Sequence, residues 1–114
     1  MPIDRVFGLH ASTPPVELPG GVLRRTLVWG ERLLFVEFRV PAGAGVPRHN
    51  HPHEQVGYVV SGRLEFAVGD DQRDLGPGDA YVIPSDVPHH SRALEDSIVI
   101  DVFSPLREDY LPTP

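Results

Sequence analysis

The chain has 114 residues and a formal net charge of -6, with no cysteine and no lysine, so all 10 of its Lys/Arg positions are Arg. The missing cysteine excludes disulfides and thiolate metal sites, and the missing lysine excludes Schiff-base chemistry and a P-loop. The acidic balance argues against a phosphate backbone, so no nucleic-acid partner is expected.

This length suits one domain, which would bury roughly two-thirds of its unfolded surface. The expected unit is residues 1–114, with 1–20 as an N-terminal arm and 104–114 as a C-terminal tail. No apolar run approaches the ~20 residues of a membrane span. The N-terminal MPIDRVFGLH lacks the basic start and long apolar stretch of a signal peptide. A cytoplasmic protein without membrane contact is the expectation.

The arm is Pro-rich and weakly patterned, with room for one short edge strand, and His10 is expected on the surface or at a dimer contact. From Gly20 the pattern changes. Val22 to Trp29 reads as a strand between glycines. Arg32 to Val40 alternates, with Leu34, Val36, Phe38 and Val40 on one face, and the two strands form a hairpin around Gly30-Glu31. Pro41 to Pro47 reads as a turn segment that delivers the chain to His49.

Residues 49–55 hold His49, His51, His53 and Gln55. In an extended strand residues two apart share a face, so all four side chains are expected on one side. Val56 to Val60 continues as an apolar strand, and Ser61-Gly62 turns it. Arg63 to Val68 alternates again and folds back through Gly69-Asp70-Asp71 to Arg73–Leu75. After the turn at Gly76–Asp79 comes a short buried strand, Ala80 to Ile83, closed by Pro84. A further turn over Ser85–Pro88 precedes His89-His90. Arg92 to Leu94 and Ser97 to Phe103 are the last strands.

No segment of ten or more residues keeps an apolar 3.6-residue period. Short strands with turn signals every 8–12 residues point to an all-β barrel or sandwich, closed to hide its edges.

Five of the 6 histidines fall in two groups about 40 residues apart. Taken singly, a histidine is more often structural than a ligand. Here their spacing is specific: His49-x-His51-x3-Gln55-x6-Gly62, opened by Gly43, and Gly78-x5-Pro84-x-Asp86-x2-His89. These patterns resemble the two motifs of the cupin superfamily, small β-barrels of the double-stranded β-helix or jelly-roll type. The resemblance implies a metal held by His49, His51, Gln55 and His89. Imidazoles and an oxygen donor suit Zn, Ni, Fe, Mn or Cu. Gln55 stands where the family more often has Glu, and a neutral amide leaves more net charge on the metal. Asp86 replaces a family Gly, and Ala93 stands where Asn is usual. His53 has the right parity but no place in the motif, and either a pocket role or the surface suits it. His90 is expected to point away from the site.

The fold hosts many functions, so the tail has to narrow them. In IDVFSPLREDYL, Ile100 to Leu111, Asp101 and Phe103 share a face. An acid within so apolar a strand is costly to bury without a partner or a task. Arg107 follows at the expected mouth of the barrel, where it can hold a carboxylate bidentately. Alternatively, Asp101 and Arg107 form a structural ion pair, and Phe103 is plain core.

The tail together with HPHEQVGYVVSG resembles the pectin-degradation (KdgF-type) cupins, from about Gly20 to Leu111. That resemblance implies a sugar-acid substrate, a divalent transition metal, and conversion of cyclic 4,5-unsaturated uronates to linear ketonised forms. Asp101, Phe103 and Arg107 would then be the catalytic residues beside the four ligands. A dioxygenase-type cupin, which would need a redox-active metal, and a non-catalytic sugar-acid-binding cupin are the alternatives. A homodimer is expected, because small open barrels leave edges that a swapped N-terminal strand can cover.

Overall fold

The computed structural model describes residues 6–112. Ten strands follow in chain order: β1 (Val16–Glu17), β2 (Leu23–Trp29), β3 (Leu34–Val40), β4 (Gly45–His49), β5 (Glu54–Ser61), β6 (Leu64–Val68), β7 (Asp71–Leu75), β8 (Ala80–Ile83), β9 (His89–Ala93) and β10 (Ser97–Ser104). They form two antiparallel sheets. One has six strands in the order β1-β2-β3-β10-β5-β8, and the other has four in the order β4-β9-β6-β7. The all-β architecture expected from the sequence is the one observed.

Alternation decides which side chains enter the barrel. Along β10, Ser97, Val99, Asp101 and Phe103 are buried while the residues between them are half-buried. Along β5, Gln55, Gly57 and Val59 are buried and Val56, Tyr58 and Val60 are exposed. Leu34 and Val36 of β3 pack on Phe103, and Val59, Leu64 and Val99 form a second apolar cluster. The antiparallel register places Phe103 opposite both Leu34 and Gln55, and Asp101 opposite both Val36 and Gly57. β10, inside the larger sheet, therefore carries the acid and the aromatic ring into the interior between β3 and β5.

Three sequence expectations need correction. Residues 41–47 are not all turn: Gly45 already belongs to β4, whose bound runs to His49. The histidine stretch is also not one strand. His49 ends β4 in the smaller sheet, residues 50–53 are irregular, and Gln55 lies in β5 of the larger sheet. Pro52 accounts for the break, because it has no N–H to give a ladder and restricts His51 before it. The β8 segment is a strand as expected, but of its residues only Ile83 is buried.

Two left-handed positions shape the ends of the motifs. Gly62 turns β5 into β6 at φ 90°, and a Cβ there would sit 2.2 Å from Ser97 Oγ. Asp86, at the position of a family glycine, adopts φ 63°. Aspartate tolerates that region better than most side chains. Its N–H donates to the His51 carbonyl at 2.8 Å, which ties the loop before β9 to the loop before β5.

The arm supplies β1 at the edge of the larger sheet, as expected. His10 is exposed, as expected, and its Nε2 lies 3.0 Å from Glu37 Oε1 on β3. The tail crosses back over the barrel: Thr26 Oγ1 donates to the Tyr110 carbonyl at 2.6 Å. Among the described residues no helix is long and apolar enough to cross a membrane.

Candidate metal centre and catalytic pocket

His49 and His89 face each other as a cross-strand pair at the ends of β4 and β9. Their ring centroids are 4.2 Å apart, and His51 in the following loop brings its ring within 4.8 Å of that of His89. One nitrogen from each of the three lies within 4.8 Å of the others, so the three histidines could hold a metal ion.

Their tautomers follow from the backbone. His49 Nδ1 lies 2.9 Å from the Pro47 carbonyl, His51 Nδ1 lies 3.0 Å from the His53 carbonyl, and His89 Nδ1 lies 2.9 Å from the Val87 carbonyl. A carbonyl only accepts, so each Nδ1 carries the proton and donates it. Each Nε2 then keeps a lone pair, which is the arrangement a metal-binding histidine requires. Burial supports the neutral form: it pushes His89 down to about 4, and it lowers His51 as well, with the charge of Arg107 adding to the effect.

Gln55 reaches this cluster from the opposite sheet. Its Oε1 lies 3.1 Å from His51 Nε2, and its Nε2 donates to Asp101 Oδ1 at 2.9 Å. With Nδ1 of His51 protonated, the 3.1 Å contact sets two lone pairs face to face. A cation shared between them relieves that repulsion. Three unprotonated imidazole nitrogens and one amide oxygen fit a divalent transition metal.

Asp101 is 3 % exposed. Its Oδ1 accepts from Gln55 and also from Tyr81 Oη at 2.6 Å. Burial raises its carboxyl to about 6, while the two hydrogen bonds and Arg107 act to lower it. Phe103 is 1 % exposed, packs on Leu34 and Val36, and sets its ring 5.8 Å from that of His51. It therefore belongs to the core and also walls the site.

Arg107 lies 5.1 Å over the Phe103 ring and 4.0 Å over Tyr110. Its Nε and Nη2 donate to the two oxygens of Asp109, at 3.3 and 2.9 Å. The Asp101–Arg107 ion pair considered from the sequence is not formed, since each residue has other partners.

A cavity of about 360 Å³ joins these groups, lined by His49, His89, Gln55, Asp101, Phe103 and Arg107 among others. His53 contributes its carbonyl to His51 and sets its ring 5.5 Å from it, outside the three-histidine cluster. His90 is also outside that cluster, but contrary to expectation it is among the residues that line the cavity.

Sequence reasoning missed Tyr81 and Tyr110. Tyr81 stacks on Phe66 with centroids 4.0 Å apart and reaches Asp101 across β5. The available signal was Gly57, a glycine inside an apolar strand, which marks a close approach of another group. Tyr110 lies past the last strand, where alternation carries no information.

This fold and the three gathered histidines are those of a cupin. The cupin-domain family matches residues 36–103, and the chain belongs to that family. Within it the chain is similar to the pectin degradation protein KdgF of Dickeya dadantii, with 35 % identity over 94 % of this chain and 99 % of that protein. The structure of KdgF from Halomonas sp. superposes with a TM-score of 0.89 at 37 % identity, covering 93 % of this chain and 100 % of that one. An RmlC-like cupin from Shewanella frigidimarina gives a TM-score of 0.92 at 32 % identity, covering 97 % and 100 %.

Proposed function

We propose that this protein is a metal-dependent cupin that converts cyclic 4,5-unsaturated uronates, products of pectin or alginate breakdown, into their linear ketonised forms. The observation that carries this reading is a buried acid, an aromatic wall and an arginine gathered in one cavity beside the three-histidine cluster and Gln55. Similarity to KdgF proteins over nearly the whole chain supports it.

His49, His51, Gln55 and His89 would hold the metal, of which Zn, Ni, Fe and Mn are the candidates. A divalent ion there supplies Lewis acidity toward substrate oxygens. Arg107 exchanges the Asp109 carboxylate for that of the uronate, with the same bidentate geometry. Phe103 closes one side of the ring's space and excludes water. Asp101 moves the proton during ring opening and tautomerisation. Its Oδ1 already accepts two hydrogen bonds, which leaves Oδ2 for the transfer, and a carboxyl raised toward neutrality is suited to both giving and taking a proton.

The test is proton NMR of an unsaturated monouronate with the protein and two variants. The unsubstituted protein should speed formation of the linear keto acid. Asp101→Asn and Arg107→Ala should lose that acceleration while still binding metal. Full activity in Asp101→Asn would remove the proton-transfer role.

A second copy of the chain is the proposed partner. The outward residues Val56, Tyr58, Val60 and Val82 of β5 and β8 form an exposed apolar face. Val82→Glu should shift a dimer to monomer in light scattering, and an unchanged mass would place the contact elsewhere.

A further inference from the structure

Tyr81, Gly57 and Asp101 form a row across β8, β5 and β10, each paired in register with the next. The middle position has no side chain. A Cβ on Gly57 would lie 2.0 Å from Tyr81 Cζ, so the ring lies directly over that backbone and reaches past it to Asp101. The arrangement spends a glycine in a strand interior, where glycine is otherwise unfavourable.

We propose that Tyr81 is a positioning residue which, acting through Asp101, fixes which end of the Gln55 amide faces the histidines. The proposal rests on the reading of Gln55 as a metal ligand and extends it to the residue that sets the ligand's polarity. An amide can present oxygen or nitrogen in the same place, and only the oxygen has a lone pair to give a metal. Tyr81 Oη and Gln55 Nε2 both donate to Asp101 Oδ1, at 2.6 and 2.9 Å. Turned over, the amide would set its oxygen 2.9 Å from that same acceptor and its NH2 toward His51, whose Nδ1 bond to the His53 carbonyl already fixes the tautomer. Asp101 thus selects the orientation, and Tyr81 keeps the Asp101 carboxylate from rotating away. The phenol is held in turn by its stack on Phe66.

The experiment is Zn2+ competition against a chromophoric chelator, in a double-mutant cycle. Tyr81→Phe keeps the ring and its stack and removes only the hydroxyl. It should weaken Zn2+ binding about tenfold or more, the worth of one hydrogen bond to a charged group. Gln55→Ala should weaken binding further, and in that background Tyr81→Phe should have no additional effect. Gly57→Ala, which displaces the same hydroxyl by another route, should repeat the pattern. An unchanged affinity in Tyr81→Phe, or an equal loss in the Gln55→Ala background, overturns the proposal while leaving the metal reading standing. If Gln55→Ala alone binds as tightly as the unsubstituted protein, or if that protein does not bind Zn2+, the ligand reading fails and this inference falls with it.

Discussion

Gly57→Ala is the substitution whose cost the geometry specifies most fully. The new Cβ would lie 2.0 Å from Tyr81 Cζ and 2.3 Å from its Oη. Ordinary contact begins at 3.4 Å, so the ring must retreat by about 1.4 Å. That movement ends the 2.6 Å bond to Asp101 and opens the stack on Phe66. A lost hydrogen bond to a charged group costs about 1.5–3 kcal/mol, and forced repacking costs about 1–3 kcal/mol. The expected loss is about 2.5–6 kcal/mol, read as a drop in the urea midpoint of metal-free protein with unchanged slope. The control is Tyr81→Ala, which removes the obstruction. In that background Gly57→Ala should cost nothing or stabilise slightly, as alanine replacing glycine in a strand does. An equal loss in both backgrounds, or no loss in either, would refute the claim that Gly57 exists to pass the tyrosine.

Further expectations concern charge, backbone and substrate. Asp101 titrates at about 6 in the fold against 3.8 in an unfolded chain, so as pH falls through that window the folded state takes up the proton first and gains stability. His51 and His89 act oppositely: lowered from 6.5, they cost stability as pH falls below it, and for His89 the loss levels off near 4. Asp101→Asn removes only the compensating part. Relative to the unsubstituted metal-free protein, its thermal midpoint should therefore be most favourable at pH 7.5 and fall behind as pH drops toward 4; a constant difference would contradict the burial of the charge. At Asp86, with φ 63°, Asp86→Val should lower stability by about 1–2 kcal/mol in chemical denaturation, whereas Asp86→Gly should be tolerated. Arg107→Lys keeps the charge but loses the fork, so it should raise KM for a uronate at least tenfold in steady-state kinetics while leaving Zn2+ affinity unchanged.

What was legible in the sequence follows from which physics is local. Alternation in Leu34–Val40 and Ser97–Phe103 marked the inward faces, because period two depends only on neighbouring residues. The motif spacing singled out the three histidines that the fold gathers, and it left His53 over. The division of His49 and Gln55 between two sheets was not legible. It depends on a break at Pro52 and on a cross-strand pairing of His49 with His89 that spans 40 residues. Tyr81 was missed for the same reason: its link to Asp101 exists only through the register of three strands. Asp101 was picked out as a buried acid in need of a partner, but the partner it found is Gln55 and Tyr81 rather than Arg107.

The most direct measurement is the ultraviolet absorbance of a 4,5-unsaturated monogalacturonate, whose conjugated double bond disappears on ketonisation. The decay should accelerate with the purified protein, return to the spontaneous rate after chelation, and accelerate again when divalent metal is restored. A decay equal to the spontaneous rate with metal-loaded protein, on both pectin- and alginate-derived substrates, would contradict the ketonisation function.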